Sequence, residues 1–264
     1  MSRIQEFMDA EPGKDYYAKL VKELSELNTK LNAFNNINMS LESGYPVSFK
    51  DNICVKGVET TASSKVLKGY KPPFNATVVE RLLSEGFGFL GKTNMDEFGF
   101  GSFGLNSEKP ARNPFDKERV AGGSSSGAAI AAAIMENHVA IAESTGGSIA
   151  APASFCGVVG FTPTYGVVSR YGLIDYGNSL DKIGIMGRSA DDIRQVFGII
   201  NGKDRYDATC TGMPEGSKSQ RSSRKLVVIE NLLKDIDAAI SKSFERTIAK
   251  LENSGFEIER INLK

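Results

Sequence analysis

The sequence GGSSSG at residues 122–127, with STGGS at residues 144–148, decides the fold and the possible chemistry of this chain. Each segment is a glycine-rich turn that contains serine, and Ser148 follows Ser124 by 24 positions. Alternating short apolar helices and strands with glycine-rich connections predict an α/β architecture. The two turns are the places in that architecture where polar side chains would gather.

The rest of the chain continues the alternation of helical and strand patterns. Helices are predicted over 14–35, 77–85, 126–135 and 236–251, and from an N-cap at Ser189 to Ile200. Strands are predicted over 45–53, 87–90, 139–142, 225–230 and 256–263. The polar residues 203–224 are predicted to form a mobile loop. We expect an N-terminal helical appendix over 1–40 and a catalytic domain over 41–264 that is incomplete at its C-terminus.

Composition narrows the possible functions. Lys+Arg and Asp+Glu both count 32, so the net charge is zero and no electrostatic signature of nucleic-acid binding is visible. The three cysteines are widely spaced, which argues against a disulfide framework or a zinc site and is typical of a reducing cytosol. No apolar run has the length of a signal sequence or membrane span. We therefore expect a cytoplasmic protein, or an organellar one in a eukaryote.

The chain contains a single histidine, His138, at the start of a predicted strand. A serine nucleophile needs a proton acceptor, which is most often an imidazole. The pattern G-x-S-x-G of α/β-hydrolases occurs at residues 123–127, but the histidine follows it too closely to assemble that active site. A hydrolase built on these turns would therefore activate serine with lysine.

Lys50 is the candidate base. In the predicted strand, Tyr45, Val47 and Phe49 alternate on one face and Lys50 lies on the other. Lys50 could be a solvated residue at a strand end. Alternatively it is buried, where desolvation penalises the ammonium and makes the neutral amine available as a general base.

The two turns allow different interpretations. Residues 122–127 could form a flexible loop or a phosphate cradle at a helix N-terminus, although the Gly-Lys-Ser/Thr ending of a P-loop is missing. In the second turn, Gly146 and Gly147 would let backbone N–H groups converge on a developing oxyanion. The hydroxyl of Ser148 would then attack the carbonyl group held there.

These segments carry a family resemblance. The two turns with their spacing, together with FKDN upstream, resemble the amidase signature family, and the resemblance is dense over residues 44–200. Further matching segments are GKTNMDEF at 91–98, RNPFD at 112–116, PASFCG at 152–157 and PTYGVVSRYGL at 163–173. The resemblance implies an α/β amidase-signature fold with a mixed central sheet flanked by helices on both faces.

The resemblance also implies roles for individual residues. Ser148 corresponds to the nucleophile, Ser124 to a bridging serine and Lys50 to the base. The oxyanion hole would consist of the backbone N–H groups of Thr145, Gly146 and Gly147, with that of Ser148.

Within the family, the chain is similar to the glutamine-hydrolysing subunits of tRNA-dependent amidotransferases. This similarity implies a glutaminase that passes ammonia to a partner, in a complex with amidotransferase subunits B and C. The partner would use ATP and Mg²⁺ and tRNA would bind only through the complex, so no cofactor is expected on this chain and no membrane is involved. The alternatives are a free-standing amidase for another small amide and a catalytically silent scaffold.

Three departures from the family pattern stand out. Ala150 occupies a position where relatives commonly have arginine, and Ser144 one where many have aspartate. Family members also usually continue well beyond the point where this sequence ends, and that part typically helps to recognise the glutamine α-amino and α-carboxyl groups.

Overall fold

The computed structural model describes residues 3–213 and 224–263. Its helices are α1 (Arg3–Ala10), α2 (Lys14–Leu31), α3 (Thr77–Ser84), α4 (Ser126–Ile134), α5 (Ala150–Phe155), α6 (Ala190–Ile200) and α7 (Ala238–Asn253). Its strands are β1 (Phe34–Ile37), β2 (Tyr45–Lys50), β3 (Phe87–Thr93), β4 (Val139–Ser144), β5 (Val159–Phe161), β6 (Lys182–Gly187), β7 (Lys225–Ile229) and β8 (Glu257–Ile261). These elements form two compact units, Met1–Met213 and Pro214–Lys264.

The first unit is built on a mixed sheet with the strand order β1-β3-β2-β4-β6-β5. The central strand β2 runs parallel to both of its neighbours, β3 and β4, whereas the outer pairs are antiparallel. Every residue of β2 and β4 is buried. Because successive side chains of a strand point to opposite faces, both faces of the sheet centre must be covered. The predicted mixed sheet with helices on both faces is confirmed.

Helix α4 has the composition expected of a buried helix in such a fold. Its sequence SGAAIAAAI has no charged residue, and its residues from Ser126 to Ala132 are all buried. Small side chains let the helix lie close to the sheet, where it contacts β2, β3, β4 and β6. The helix predicted over 126–135 is confirmed, and it starts directly after the first glycine-rich turn.

Several predicted boundaries differ from the observed ones. The helix predicted over 14–35 ends at Leu31 because Asn32 adopts the left-handed conformation with φ 52°, after which the chain enters edge strand β1. The strand predicted over 45–53 ends at Lys50, and the strand predicted over 87–90 extends to Thr93. Helices α1 and α5 and strands β1, β5 and β6 were not predicted.

The N-cap predicted at Ser189 is confirmed, since its side chain accepts hydrogen bonds from the backbone N–H groups of Asp191 and Asp192. Of the mobile loop predicted over 203–224, the structure describes residues 203–213 and 224. Within this part, Thr211 N–H donates to the Gly166 carbonyl at 2.9 Å. Residues 214–223 of that prediction lie outside the described part of the chain.

The second unit, as described from residue 224 to 263, is a β-α-β element. Strands β7 and β8 are parallel and hydrogen-bonded in register from Lys225 opposite Glu257 to Ile229 opposite Ile261. Helix α7 connects them and begins at the N-cap Asp237, which accepts a hydrogen bond from Ala239 N–H at 2.8 Å. No helix in the described residues combines the length and apolarity needed to cross a bilayer.

The closest packing at the start of α4 yields a stability prediction. A Cβ atom added at Gly127 would lie 2.1 Å from the Ala33 carbonyl oxygen and 2.5 Å from the Asn94 nitrogen, whereas one added at Gly198 meets nothing within 4 Å. We expect Gly127→Ala to lower the free energy of unfolding by about 2 kcal/mol or more. The matched change Gly198→Ala, on an exposed helix position, should raise it by about 0.5–1 kcal/mol. Equal effects of the two changes in urea titrations would contradict the packing.

Candidate functional site

The site lies where the two central parallel strands end. Strand β2 finishes at Lys50 and its neighbour β4 finishes at Ser144, with Phe49 opposite Ile141 in register. Ligand and catalytic groups of open α/β sheets gather outside the carboxyl ends of such strands. The register therefore brings the lysine of β2 beside the glycine-rich turn that follows β4.

Lys50 is fully buried and makes three hydrogen bonds. Its Nζ lies 2.7 Å from Ser124 Oγ, 3.1 Å from the Glu143 carbonyl oxygen and 2.8 Å from Glu143 Oε2. The side chains of Lys50 and Glu143 are 0% and 1% exposed. Of the two possibilities left by the sequence, a solvated residue at a strand end is excluded.

The first turn is joined to the second by backbone and side-chain contacts. The Gly123–Ser124 peptide bond is cis, and Ser124 is fully buried. Ser125 N–H donates to the Ser148 carbonyl at 3.3 Å, and Ser125 Oγ donates to the Glu143 carbonyl at 2.9 Å. Because its hydroxyl is buried and hydrogen-bonded, Ser125 does not present the exposed nucleophile that an α/β-hydrolase elbow requires.

The second turn has its carbonyl groups occupied and its N–H groups free. The Thr145, Gly146, Gly147 and Ser148 carbonyl oxygens accept hydrogen bonds from Lys182 Nζ, Ser144 Oγ, Ala151 N and Ser125 N, respectively. No acceptor within residues 3–213 and 224–263 pairs with the backbone N–H groups of residues 145–148. Unpaired N–H groups beside an open surface are the donors that an oxyanion would need.

Ser148 has a different environment from Ser124. Ser148 is half-buried, whereas Gly146 and Gly147 before it are exposed. Its backbone is fixed by the bond from Ser125, but its hydroxyl makes no hydrogen bond to Ser124 or to any other residue in the described part of the chain. The structure thus brings Lys50 and Ser124 into contact and leaves Ser148 Oγ free at the edge of the open turn.

Glycine at positions 146 and 147 is not required by packing. A Cβ atom added at either position would meet nothing within 4 Å, and neither residue has a positive φ. The space above these two residues is therefore empty in the structure, and a small planar group could lie against their N–H groups.

Two acidic residues of this network were missed from the sequence. Thr145 Oγ1 lies 3.0 Å from Glu143 Oε1 and 2.5 Å from Asp181 Oδ1, and Asp181 Oδ2 accepts hydrogen bonds from the N–H groups of Tyr176 and Gly177. The signal for Glu143 was available: it is the one charged residue in the apolar stretch VAIAES of β4. Charged residues are almost never fully buried without a partner, so a partner should have been sought.

A second buried lysine belongs to a separate network. Lys92 Nζ donates to the Ile53 carbonyl and to Thr60 Oγ1, and lies 3.8 Å from Asp51 Oδ1. Desolvation lowers the pKa of Lys92 to about 8, although the nearby Asp51 carboxylate acts in the opposite direction. Lys92 shares no hydrogen-bond partner with Lys50 among the described residues, so we assign it to the packing of β2 against β3.

His138 lies apart from the contacts made by Lys50, Ser124 and Glu143. Its Nε2 is 2.9 Å from Ser48 Oγ, its Nδ1 has no partner among the described residues, and its side chain is buried. Desolvation lowers the pKa of His138 to about 3. The imidazole is therefore neutral at physiological pH and is spatially separate from the hydrogen bonds made by Ser124.

Exposed aromatic side chains occur in segments that are connected to the two turns. Phe100 and Tyr176 form an edge-to-face pair with ring centroids 4.4 Å apart, and both are substantially exposed. The backbone of Tyr176 is tied to Asp181, and the backbone nitrogen of Phe103 lies 3.0 Å from a Cβ atom built at Gly123. Tyr176 is thereby connected through Asp181 to Thr145 of the second turn, and the backbone at Phe103 lies against the first turn.

No metal centre is evident in the described ranges, where no three His, Cys, Asp or Glu side chains are placed to hold an ion together. A cleft of about 720 Å³ lies elsewhere, and its lining includes polar residues of α2 and of the loops that contain Thr61, Ser63 and Lys109. Its volume does not bear on the chemistry, because neither Lys50 nor any residue of the two turns lines it.

The α/β sheet and the site together define a class: proteins in which a buried lysine contacts a serine beside a glycine-rich turn with free N–H groups, an arrangement suited to serine-based acyl transfer. The sequence model of the Amidase family matches residues 18–264. The chain belongs to this family, as its resemblance to the amidase signature predicted.

Relatives in this family have similar sequences and structures. The chain is 47% identical over 228 residues to the A subunit of glutamyl-tRNA(Gln) amidotransferase from Symbiobacterium thermophilum, a match that covers 84% of this chain and 47% of the relative. The crystal structure of the equivalent protein from Thermotoga maritima superposes with a TM-score of 0.85 at 37% identity, over 94% of this chain and 58% of the other. Peptide amidase from Stenotrophomonas maltophilia gives a TM-score of 0.74 at 32% identity, over 83% and 48%. The chain spans about half the length of the curated relatives it matches.

The environment of His138 generates a prediction about acid stability. Because its pKa is about 3 in the folded chain and near 6.5 when unfolded, the unfolded state binds an extra proton between these values. This contribution to stability is complete above pH 6.5 and is lost, by up to about 1.4 kcal/mol per pH unit, as the pH falls towards 3. In His138→Gln the stability should fall less steeply, as measured by urea unfolding from pH 7 to pH 4.

The same variant tests whether histidine could act as a proton acceptor. His138→Gln should keep any amide hydrolysis that the wild-type chain shows, since the imidazole contacts Ser48 and neither Ser124 nor Ser148. Loss of hydrolysis in a folded His138→Gln protein would restore histidine as the proton acceptor.

Proposed function

We propose that this chain is an amidohydrolase and that it acts as the glutaminase part of a tRNA-dependent amidotransferase. The observation that carries the proposal is the 2.7 Å contact of buried Lys50 Nζ with Ser124 Oγ, beside a turn whose backbone N–H groups have no acceptor among the described residues. The relatives named as the A subunit of glutamyl-tRNA(Gln) amidotransferase support the choice of glutamine as the amide donor.

The proposed chemistry uses the three predicted side chains in sequence. Ser148 Oγ attacks the amide carbonyl carbon, its proton passes to Ser124 Oγ, and the Ser124 proton passes to Lys50 Nζ. The oxyanion that forms is stabilised by the N–H groups of residues 145–148.

The second half of the reaction reverses the proton transfers. The proton on Lys50 returns through Ser124 to the departing nitrogen, so that ammonia leaves and the acyl group stays on Ser148. A water molecule then attacks the acyl carbon, gives its proton to the same relay and releases the acid together with the free Ser148 hydroxyl.

The proposed complex follows from the fate of ammonia. Ammonia released into water near neutral pH becomes ammonium, which is not a nucleophile, so a biosynthetic glutaminase benefits from a closed path to its partner. We propose that amidotransferase subunits B and C complete the complex and that the partner uses ATP and Mg²⁺, while this chain itself binds no cofactor. The zero net charge supports tRNA binding through the complex, in the cytoplasm, rather than by this chain alone.

A second candidate function is a free-standing amidase for amides with a larger apolar acyl group. The exposed pair of Phe100 and Tyr176, which is connected through Asp181 to Thr145 of the second turn, favours such substrates over glutamine. The likeness to peptide amidase from Stenotrophomonas maltophilia supports the same alternative. Rates for glutamine and for a phenylalanine amide, measured on the chain alone and with subunits B and C, distinguish the two candidates.

The nucleophile assignment makes the first prediction from this mechanism. Ser148→Ala should abolish hydrolysis of every amide that the wild-type chain accepts, because the acyl-enzyme cannot form. Ser154→Ala, which removes an exposed hydroxyl from the nearby helix α5, is the matched control and should keep its rate. Mass mapping after treatment with an acylating inhibitor should find the adduct on Ser148, and an adduct on Ser125 instead would refute the assignment.

The role of Lys50 makes the second prediction. Lys50→Arg keeps a positive charge but cannot release a proton at working pH, so it should be as inactive as Lys50→Ala, with kcat/KM lower by roughly 10³-fold or more. Combining Lys50→Ala with Ser124→Ala should cost little beyond either single change, since members of one relay are not additive. Substantial hydrolysis by the arginine variant would show that Lys50 provides charge and not base catalysis.

A further inference from the structure

The hydrogen-bond network around Glu143 contains one hydroxyl between two carboxyl groups. Thr145 Oγ1 lies 3.0 Å from Glu143 Oε1 and 2.5 Å from Asp181 Oδ1. A threonine hydroxyl has a single hydrogen to donate, and an ionised carboxylate can only accept. If both carboxyl groups were ionised, one of these two contacts would place two acceptors against each other without a hydrogen between them.

The surroundings decide which carboxyl group is ionised. Asp181 Oδ2 accepts two backbone hydrogen bonds, from Tyr176 N–H at 2.7 Å and Gly177 N–H at 3.0 Å, and its Oδ1 makes the shorter contact to Thr145. Backbone N–H donors and short bonds both favour a charged acceptor. Thr145 therefore donates to Asp181, and the hydrogen between Thr145 and Glu143 must belong to Glu143 Oε1.

Counting hydrogen-bond donors and acceptors in the same way gives the protonation state of Lys50 beside Ser124. Within the part of the chain that the structure describes, Lys50 Nζ is the sole hydrogen-bond partner of the buried Ser124 hydroxyl. An ammonium would donate to Ser124 and leave the Ser124 hydrogen without an acceptor. A neutral amine accepts from Ser124 and directs its two hydrogens to the Glu143 carbonyl and to Glu143 Oε2, at 3.1 and 2.8 Å.

We infer that Glu143 is a positioning residue that carries the proton of the buried pair, so that Lys50 rests as a neutral amine and Glu143 as a neutral carboxylic acid. Moving one proton from Nζ to the carboxyl group leaves the net charge of the pair at zero. Each of the hydrogen bonds that connect Ser124, Lys50, Glu143, Thr145 and Asp181 then has one donor and one acceptor. The inference rests on the proposed function for its catalytic meaning, because a neutral Lys50 is what the relay requires.

The other charged groups near the pair are compatible with this arrangement. Asp181 is connected to Glu143 through Thr145, and Lys182 Nζ donates to the Thr145 carbonyl at 3.0 Å, so an acidic and a basic group both contact this threonine. Asn52 Nδ2 lies 3.4 Å from Glu143 Oε2 and can donate to it in either protonation state.

Glu143→Gln is the direct test, because the glutamine amide reproduces the neutral acid: its NH₂ group can donate to Thr145 and its oxygen can accept from Lys50. Infrared difference spectra of the full chain at pH 7, wild type minus Glu143→Gln, should show the carbonyl band of a protonated carboxylic acid lost in the variant. The matched change Glu136→Gln, at an exposed position, should show loss of a carboxylate band instead. A carboxylate band lost at Glu143 would overturn the inference.

Rates of amide hydrolysis distinguish a Glu143 that positions Lys50 from one that only fills space. We expect Glu143→Gln to lose less than about ten-fold in kcat/KM because it keeps both hydrogen bonds, whereas Glu143→Leu, which keeps neither, should lose about 100-fold or more through displacement of Lys50. Equal losses in the two variants would overturn the role. If the wild-type chain hydrolyses no amide, the proposed function fails while the infrared result still decides the protonation of Glu143.

Thermal unfolding provides the final check. If the pair were ionised, Glu143→Gln would leave a buried ammonium without its counter-charge and lower the Tm by roughly 10 °C. The neutral pair predicts a change of only a few degrees. A large loss of Tm in the glutamine variant, with Glu136→Gln unaffected, would overturn the inference.

Discussion

The structure depends on one amine that has no access to water. A lysine buried at the end of a central strand is tolerated only where acceptors and an acid surround it, and Lys50 receives these from Ser124 and Glu143. Each partner constrains a different element: Glu143 fixes the register of β4 against β2, and Ser124 fixes the turn that starts α4. The contact from Ser125 to Ser148 then sets the position of the second turn. The contacts that keep the Lys50 amine buried therefore also position the strands and turns that form the site.

Membership of the Amidase family agrees with this arrangement. The chain matches the family from residue 18 onwards, and it covers about half the length of relatives named as part of an amidotransferase. That half contains the mixed sheet of the first unit, the buried lysine and both glycine-rich turns. The groups that would break an amide bond therefore lie together in one compact unit, independently of how the acyl part of a substrate is recognised.

The sequence predicted the parts of this structure that are encoded locally. Alternation in β2, the alanine-rich run of α4 and the cap at Ser189 each follow from neighbouring residues, and the glycine-rich turns marked the site. Edge strands β1 and β5 were missed because they are short and owe their pairing to distant strands. Glu143 and Asp181 were missed for the same reason. Their significance comes from Thr145, which stands between them only when β4 and β6 are paired.

At Gly146 and Gly147, selection for a stable fold and selection for turnover can be distinguished. A methyl group at either position would touch nothing and would need no unusual backbone angle. The fold is therefore indifferent to these glycines, and a library screened only for folded protein should accumulate alanine there. Under the proposed function, a library screened for turnover should not, because a methyl group would occupy the volume that the bound carbonyl needs. Comparing the two libraries at these positions would reveal which residues the chain keeps for its chemistry and not for its stability.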